Sequence, residues 1–131
     1  MSKESVGVFI PLADLQNYQP IITTELLVYS LIRGYERNAG FTVGESGVGV
    51  CIATADSLAK TLGITPRQVR DALHHLQYRS GMGARIVIYD DKKHRRKVWC
   101  SHVVLRELAD RNLIEPTCRA KVAKILENRA T

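Results

Sequence analysis

The chain has 131 residues, of which 45% are hydrophobic and 24% charged, and its formal net charge is +6. This length can bury a hydrophobic core without disulfides or a structural metal, so we expect one domain spanning residues 1–131. No apolar run approaches the ~20 residues that span a bilayer, and the three widely spaced cysteines are typical of a reducing compartment rather than of a disulfide-stapled secreted domain.

The N-terminal region predicts one clear helix. Residues 1–5 lack the pattern of a secretory signal, so we expect a cytoplasmic protein. Residues 6–10 are predicted to be extended, and Pro11 is predicted to open a short helical turn. Within residues 21–38, apolar side chains recur at helical spacing, which predicts the first core helix.

A glycine-rich stretch follows at residues 40–54. Its glycines lie among β-branched residues, which favours a loop or loose hairpin with its tip at residues 44–47. A phosphate-cradling loop is excluded because no Lys-Ser or Lys-Thr pair follows the glycines at the required spacing.

Residues 54–79 predict two short helices joined by a tight turn. Thr54 or Asp56 can cap the first helix, which ends near Leu62, and Gly63 can stop it in a left-handed conformation. The second helix is predicted to have an apolar side and a polar side. The apolar side consists of Val69, Ala72, Leu73 and Leu76, and the polar side of Arg67, Asp71, His74 and Tyr78, flanked by Gln68, Arg70 and His75.

The start of the second helix is marked by three residues. Thr65 can cap the helix, Pro66 fits the first helical position, where no N–H is needed, and Gln68 completes a capping box.

The positive charge is concentrated in the middle of the chain. Residues 51–100 contain 10 Lys or Arg against 4 Asp or Glu, whereas residues 1–50 contain 3 against 5. Within this region, residues 84–100 predict a β-hairpin, because two segments rich in β-forming side chains flank an Asp-Asp turn. The tip and returning edge of this hairpin carry Lys92, Lys93, Arg95, Arg96 and Lys97.

Residues 101–131 predict two further helices, the first over residues 101–114 and the second after a break at Pro116. Thr117 can cap the last helix, whose apolar stripe can pack on the chain's own core or pair with a second copy. We expect a homodimer held by this stripe. It consists of Val122, Ile125 and Leu126.

Residues 58–76 combine a small residue at the helix crossing, a Gly-Ile turn and a capped second helix, in the pattern Leu58-Ala59-x-x-Leu62-Gly63-Ile64-Thr65-x-x-x-Val69-x-x-x-Leu73-x-x-Leu76. This pattern resembles the helix-turn-helix of bacterial, plasmid and phage DNA-binding proteins. With the hairpin, the chain resembles winged helix-turn-helix proteins over residues 21–100. The resemblance implies an α+β, mainly helical fold with a β-hairpin wing and a C-terminal helical extension.

The resemblance also implies which residues contact double-stranded DNA. The second helix would be the recognition helix in the major groove, and the wing would lie at the flanking phosphates. The implied contacts are Thr65, Arg67, Gln68, Arg70 and His74 on the helix, and Lys92, Lys93, Arg95, Arg96 and Lys97 on the wing. Asp71 departs from this pattern, because phosphate repels a carboxylate unless it accepts from cytosine or orients an arginine.

The run from Phe9 to Leu12 and the first helix resemble plasmid and phage replication-associated modules. We therefore expect a transcriptional regulator, or a DNA-binding accessory in replication control, partition or conjugation, of a mobile genetic element. Its expected partners are double-stranded DNA, a second copy of the chain, and the replication, partition or transfer machinery.

Other function classes have less support. A winged helix can serve instead as a protein–protein adaptor, and a basic adaptor for an acidic partner would carry similar charge. RNA binding is disfavoured because the few aromatic residues form no cluster along the sequence. The four histidines have no nucleophile or carboxylate at a motif spacing, so we expect no enzyme. Cys100, His102 and Cys118 lack the spacing of structural zinc ligands, so we expect no metal or cofactor.

Overall fold

The computed structural model describes residues 23–91 and 93–130, and its elements form an α+β, mainly helical fold with one two-stranded antiparallel sheet. The elements are α1 (Thr23–Asn38), α2 (Ala55–Leu62), α3 (Pro66–Tyr78), β1 (Gly83–Tyr89), β2 (Arg95–Ser101), α4 (His102–Asp110), a 3-10 turn (Pro116–Cys118) and α5 (Arg119–Ala130). The extended segment and turn predicted before residue 23 lie outside the described residues. None of the helices in the described part of the chain has the length and apolarity that a bilayer crossing needs.

The turn between α2 and α3 follows the predicted capping chemistry. Thr54, rather than Asp56, is the N-cap of α2, because its side chain accepts a hydrogen bond from the N–H of Ser57. Gly63 ends α2 with a φ of 70°, in the left-handed region that glycine adopts at least cost. The predicted capping box at Thr65 is present, so α3 begins where the sequence places it.

The left-handed conformation of Gly63 gives a direct test of this turn. Gly63→Ala is expected to destabilise the fold by ~1–2 kcal/mol, because an L-residue is strained at positive φ. An added Cβ would meet nothing within 4 Å, so the cost is backbone strain rather than a clash. Gly40→Ala is the matched control, since Gly40 lacks a positive φ and its Cβ would make only an ordinary contact. Equal urea midpoints for the two variants would contradict this account of the turn.

The core consists of one group of side chains beneath the helices and another beneath the hairpin. The helical group joins α1 and α2 to the predicted apolar side of α3, all four of whose members are buried. The hairpin group joins the inner face of the hairpin to α4 and α5. The helical group includes Val28, Ile32, Leu58, Leu73 and Leu76, and the hairpin group includes Ile86, Ile88, Leu105, Leu108 and Val122.

The hairpin is held at both edges by single-residue bridges. Strand β1 pairs with β2 from Gly83 opposite Ser101 to Tyr89 opposite Arg95. Cys51 bridges to Trp99 on the outer edge of β2, with backbone N to O distances of 3.0 and 2.8 Å. On the outer edge of β1, Ile114 bridges to Ile88.

The stretch at residues 40–54 forms the loose hairpin that the glycines predicted. Thr42 bridges to Gly49, and the N–H of Val43 donates to the carbonyl of Val48 at 3.0 Å. Gly44 lies at the tip with a φ of 53°.

The C-terminal helices differ from the prediction. Helix α4 ends at Asp110, four residues before the predicted end, because Asn112 adopts a φ of 58° and the N–H of Leu113 closes onto the carbonyl of Leu108 at 2.9 Å. Thr117 does not cap α5: it lies within the 3-10 turn, and its hydroxyl donates to the carboxylate of Glu115.

The predicted dimer stripe on α5 is also corrected. Val122 and Ile125 are buried, and Leu126 is partly buried, all against the chain's own hairpin core. Val122 and Ile125 are therefore not available at the surface for the expected dimer contact, whereas a homodimer as such stays a prediction.

Candidate nucleic-acid interface

The polar side of α3 is exposed as predicted. Arg70, His74 and Tyr78 are spaced four residues apart, so they form one row along the helix. The rings of His74 and Tyr78 lie 4.8 Å apart between centroids. Arg67 and Asp71 are exposed beside this row.

Two residues expected to contact DNA are engaged in the helix cap. The side-chain oxygen of Gln68 accepts from the N–H of Thr65 at 2.9 Å and from its hydroxyl at 3.2 Å. The same hydroxyl accepts from the N–H of Gln68 at 3.1 Å. These hydrogen bonds hold the side chains of Thr65 and Gln68 at the first turn of α3.

A cleft of about 400 Å³ separates the α3 row from the outer face of the hairpin. Alternation along β2 places Lys97 and Trp99 on this outer face, and Arg85 joins them from β1 opposite Trp99. Arg70 lines the cleft from α3. Within the described residues, the lining contains three cationic side chains and no carboxylate, and the carboxylate of the exposed Asp56 lies 3.9 Å from Arg70, so the cleft keeps a net positive surface.

Hydrogen bonds of the buried Gln77 and of Lys121 fix the position of the hairpin against α3. The side-chain oxygen of the buried Gln77 accepts from the N–H of Arg85 at 2.8 Å and from Nζ of Lys121 at 3.2 Å. Lys121 also donates to the carbonyl of Arg85 at 3.2 Å. The guanidinium of Arg85 lies 5.6 Å from the ring centroid of Trp99. Gln77 thus joins α3 to β1, and Lys121 of α5 contacts both.

Two of the predicted hairpin cations form ion pairs within the chain. Arg95 lies 2.9 Å from the carboxylate of Glu115, whose side chain is only 7% exposed. Arg96 lies 3.0 Å from Asp90, and its guanidinium covers the ring of Phe41 at 4.9 Å. Alternation along β2 also places Arg96 on the face of the strand that points away from the cleft. The fold therefore uses both arginines to join the hairpin to neighbouring segments.

The hairpin tip is organised by Asp91. Its carboxylate accepts from the backbone N–H groups of Lys93 at 2.7 Å and His94 at 2.8 Å, and it lies 2.6 Å from Nδ1 of His94. The hydrogen bond with His94 lowers the pKa of Asp91 to about 2 and raises the pKa of His94. Lys93 is exposed, whereas Lys92 lies outside the described residues.

At the hairpin tip, three described side chains could offer metal ligands, and each of them already contacts another side chain, although Oδ1 of Asp90 is buried without a hydrogen-bond partner. Asp90, Asp91 and His94 lie within 4.8 Å of one another, but Asp91 binds His94 and Asp90 binds Arg96. Cys51 and Cys100 are buried, and burial raises the pKa of Cys51 to about 12, which keeps its thiol protonated.

The neighbouring histidines His74 and His75, predicted on and beside the polar side of the second helix, have different surroundings. His74 is exposed, but Nδ1 of His75 lies 2.9 Å from the carboxylate of the buried Glu25. This contact joins α3 to α1, so His75 belongs to the support of the helix rather than to its outer surface.

Sequence reasoning missed Arg85 and Trp99 as site residues. Arg85 lies in a strand of β-forming residues, and its polar character at an alternating position was the signal that it faces outward. Trp99 gave no such signal, because its place in the cleft depends on how the hairpin packs against α3.

Comparison with known protein families, with curated proteins and with solved structures found no match for this chain.

Proposed function

We propose that the chain binds double-stranded DNA as a winged helix-turn-helix protein. In this proposal α3 enters the major groove and the hairpin is the wing beside it. The cleft supports the proposal best, because Arg70, Arg85 and Lys97 converge there with no carboxylate in the lining that the structure describes. Duplex DNA carries one negative charge per ~1.7 Å of its axis, so such a surface attracts it.

The contacts assign different tasks to the cations. Arg67, Arg70 and His74 are proposed to reach base edges, since they are exposed on α3 and are not part of its cap. Arg85 and Lys97 are proposed to neutralise phosphates from the wing side of the cleft.

The biological role we propose is regulation of a mobile genetic element, or an accessory task in its replication control, partition or conjugation. A homodimer remains part of the proposal because helix-turn-helix sites are commonly two-fold symmetric. In this proposal the α5 stripe does not supply the dimer contact, since Val122 and Ile125 are buried and Leu126 is partly buried in the chain's own core. The replication, partition or transfer machinery is the proposed further partner.

Selection of bound duplexes from a random pool tests the proposal and yields a preferred site. On that site, Arg67→Ala and Arg70→Ala are each expected to lower affinity by ~1–3 kcal/mol, with a much smaller effect on random duplex. The reason is that a guanidinium forking onto guanine reads a base edge, whereas phosphate contacts are indifferent to sequence. An enriched palindrome would support binding by a dimer.

Two controls accompany these variants. Arg106→Ala removes an exposed arginine of α4 that does not line the cleft, so site preference should be unchanged. Leu73→Ala removes a buried side chain, should cost ~2–5 kcal/mol of stability, and should reduce binding only by unfolding the domain. If no duplex binds at low salt while an acidic protein binds tightly, the adaptor function replaces DNA binding.

A further inference from the structure

Aromatic side chains that are scattered in the sequence meet at the cleft. His74 and Tyr78 come from α3, and Trp99 comes from β2 on the opposite wall. Tyr78 is 63% exposed, although its ring is large and apolar, and Ile52 beside the cleft is 46% exposed. The fold thus leaves the ring of Tyr78 and an aliphatic side chain exposed at one place on the surface, opposite the partly buried ring of Trp99.

The same place is positively charged. Arg70, Arg85 and Lys97 line it, and the lining in the described part of the chain includes no acidic side chain, although the exposed carboxylate of Asp56 lies 3.9 Å from Arg70. Nζ of Lys121 lies 5.9 Å from the ring centroid of Tyr78, which adds a fourth cation at the α5 end. The ligand that fits this surface is therefore anionic and also carries a flat apolar face.

Duplex DNA offers only half of this chemistry. Its phosphates can meet the cations, but its base faces are stacked on one another and only base edges reach the grooves. An unpaired nucleotide offers both groups, because its base face is free to stack on an aromatic ring while its phosphate meets a cation. A cleft of about 400 Å³ is at the small end of ligand sites, which suits one nucleotide rather than a long segment.

We propose that the cleft binds an unpaired nucleotide of DNA, so that the protein prefers duplex carrying a single-stranded extension over blunt duplex. This proposal rests on the proposed DNA-binding function, with α3 on the duplex and the extension entering between Tyr78 and Trp99. It differs from that function in assigning the C-terminal half of α3 to base stacking instead of base-edge reading.

The test compares one duplex in blunt form, the same duplex with a five-nucleotide thymidine extension, and the free thymidine strand. The extension is expected to raise the affinity of the unaltered protein by roughly 5- to 150-fold, the range of one stacked base. Trp99 is the only tryptophan in the chain, so its fluorescence should be quenched by the extended duplex and the free strand but not by the blunt duplex.

Variants separate stacking from charge. Tyr78→Ala is expected to bring the ratio of extended to blunt affinity close to one, and Tyr78→Phe, which keeps the ring, is expected to restore it. Tyr89→Ala is the matched control, because Tyr89 is an exposed tyrosine of the hairpin that does not line the cleft. It should leave the ratio as in the unaltered protein. Circular dichroism of each variant checks the fold.

The outcomes distinguish this proposal from the one it rests on. Equal affinity for extended and blunt duplex, with unquenched Trp99, overturns the cleft proposal and leaves duplex binding intact. A preference that survives Tyr78→Ala also overturns it. In a third outcome the protein binds the free strand, with Trp99 quenching that depends on the Tyr78 ring, but does not bind blunt duplex. This outcome supports the cleft proposal and contradicts the proposed duplex function.

Discussion

Replacing Glu36 by alanine is expected to destabilise the fold by about 3–5 kcal/mol, the cost of breaking a buried ionic contact. The side chain of Glu36 is 2% exposed and accepts from the N–H of Ser101 at 2.6 Å, from its hydroxyl at 2.8 Å, and from Arg33 at 2.7 Å. Burial raises the pKa of Glu36, and the hydrogen bonds from Ser101 and Arg33 act in the opposite direction. Alanine leaves the buried N–H of Ser101 without this acceptor and separates α1 from the start of α4.

Urea unfolding of matched variants measures this effect. Glu36→Gln keeps the shape of the side chain and one acceptor oxygen. Its amide NH₂ replaces the other oxygen and faces hydrogen-bond donors of Ser101 and Arg33, so we expect an intermediate loss of stability of ~1–3 kcal/mol. Glu107→Ala is the control, because Glu107 is exposed and pairs with Arg111 at 2.9 Å on the surface. That change should cost no more than ~0.5 kcal/mol. Similar losses for Glu36→Ala and Glu107→Ala would show that the buried contact does not hold α1 in place.

Removing two cleft cations is expected to weaken DNA binding far more than removing two cations elsewhere on the hairpin. The double variant Arg85→Ala with Lys97→Ala should make the log–log salt slope shallower by about 2 and lower affinity roughly 10- to 100-fold at 0.1 M salt. The reason is that each lost phosphate contact leaves about one counterion condensed on the DNA. Specific and random duplexes should lose similar amounts, because phosphates carry no sequence information.

The matched control is Arg95→Ala with Arg96→Ala, which removes the same charge from the same hairpin. Both side chains are paired with carboxylates, Arg95 with Glu115 and Arg96 with Asp90, so the salt slope should change much less. The loss of these ion pairs should instead lower stability, and binding must be measured where both variants are folded. If the two double variants reduce the salt slope equally, the result would instead support the expectation from the sequence that the whole basic hairpin contacts DNA.

Much of the region that includes α2 and α3 was predictable because its signals are local. The cap at Thr65, the stop at Gly63 and the apolar spacing of α3 each depend on residues within one or two turns, and all are present in the structure. The end of α4 was not predictable in this way. Apolar spacing continues through Leu113, but the chain leaves the helix so that Ile114 can bridge to β1, and that partner is distant in sequence.

The same distinction between local and long-range signals applies to the candidate site. The sequence alone determined which α3 residues are exposed, because helical periodicity separates Arg67, Arg70 and His74 from the apolar side. It also determined the basic character of the hairpin. Only the tertiary structure decided which hairpin cations are paired and which enter the cleft, since an ion pair such as Arg95 with Glu115 depends on segments brought together by packing.

The aromatic lining of the cleft shows the physical reason most directly. Tyr78 and Trp99 lie 21 positions apart and belong to a helix and a strand, so neither periodicity nor spacing relates them. The contacts of Gln77 and Lys121 with Arg85 set the hairpin against α3, and this packing brings both rings to one cleft. Local backbone preferences are therefore encoded in short stretches of sequence, whereas the shape and charge of the cleft arise from contacts between distant elements.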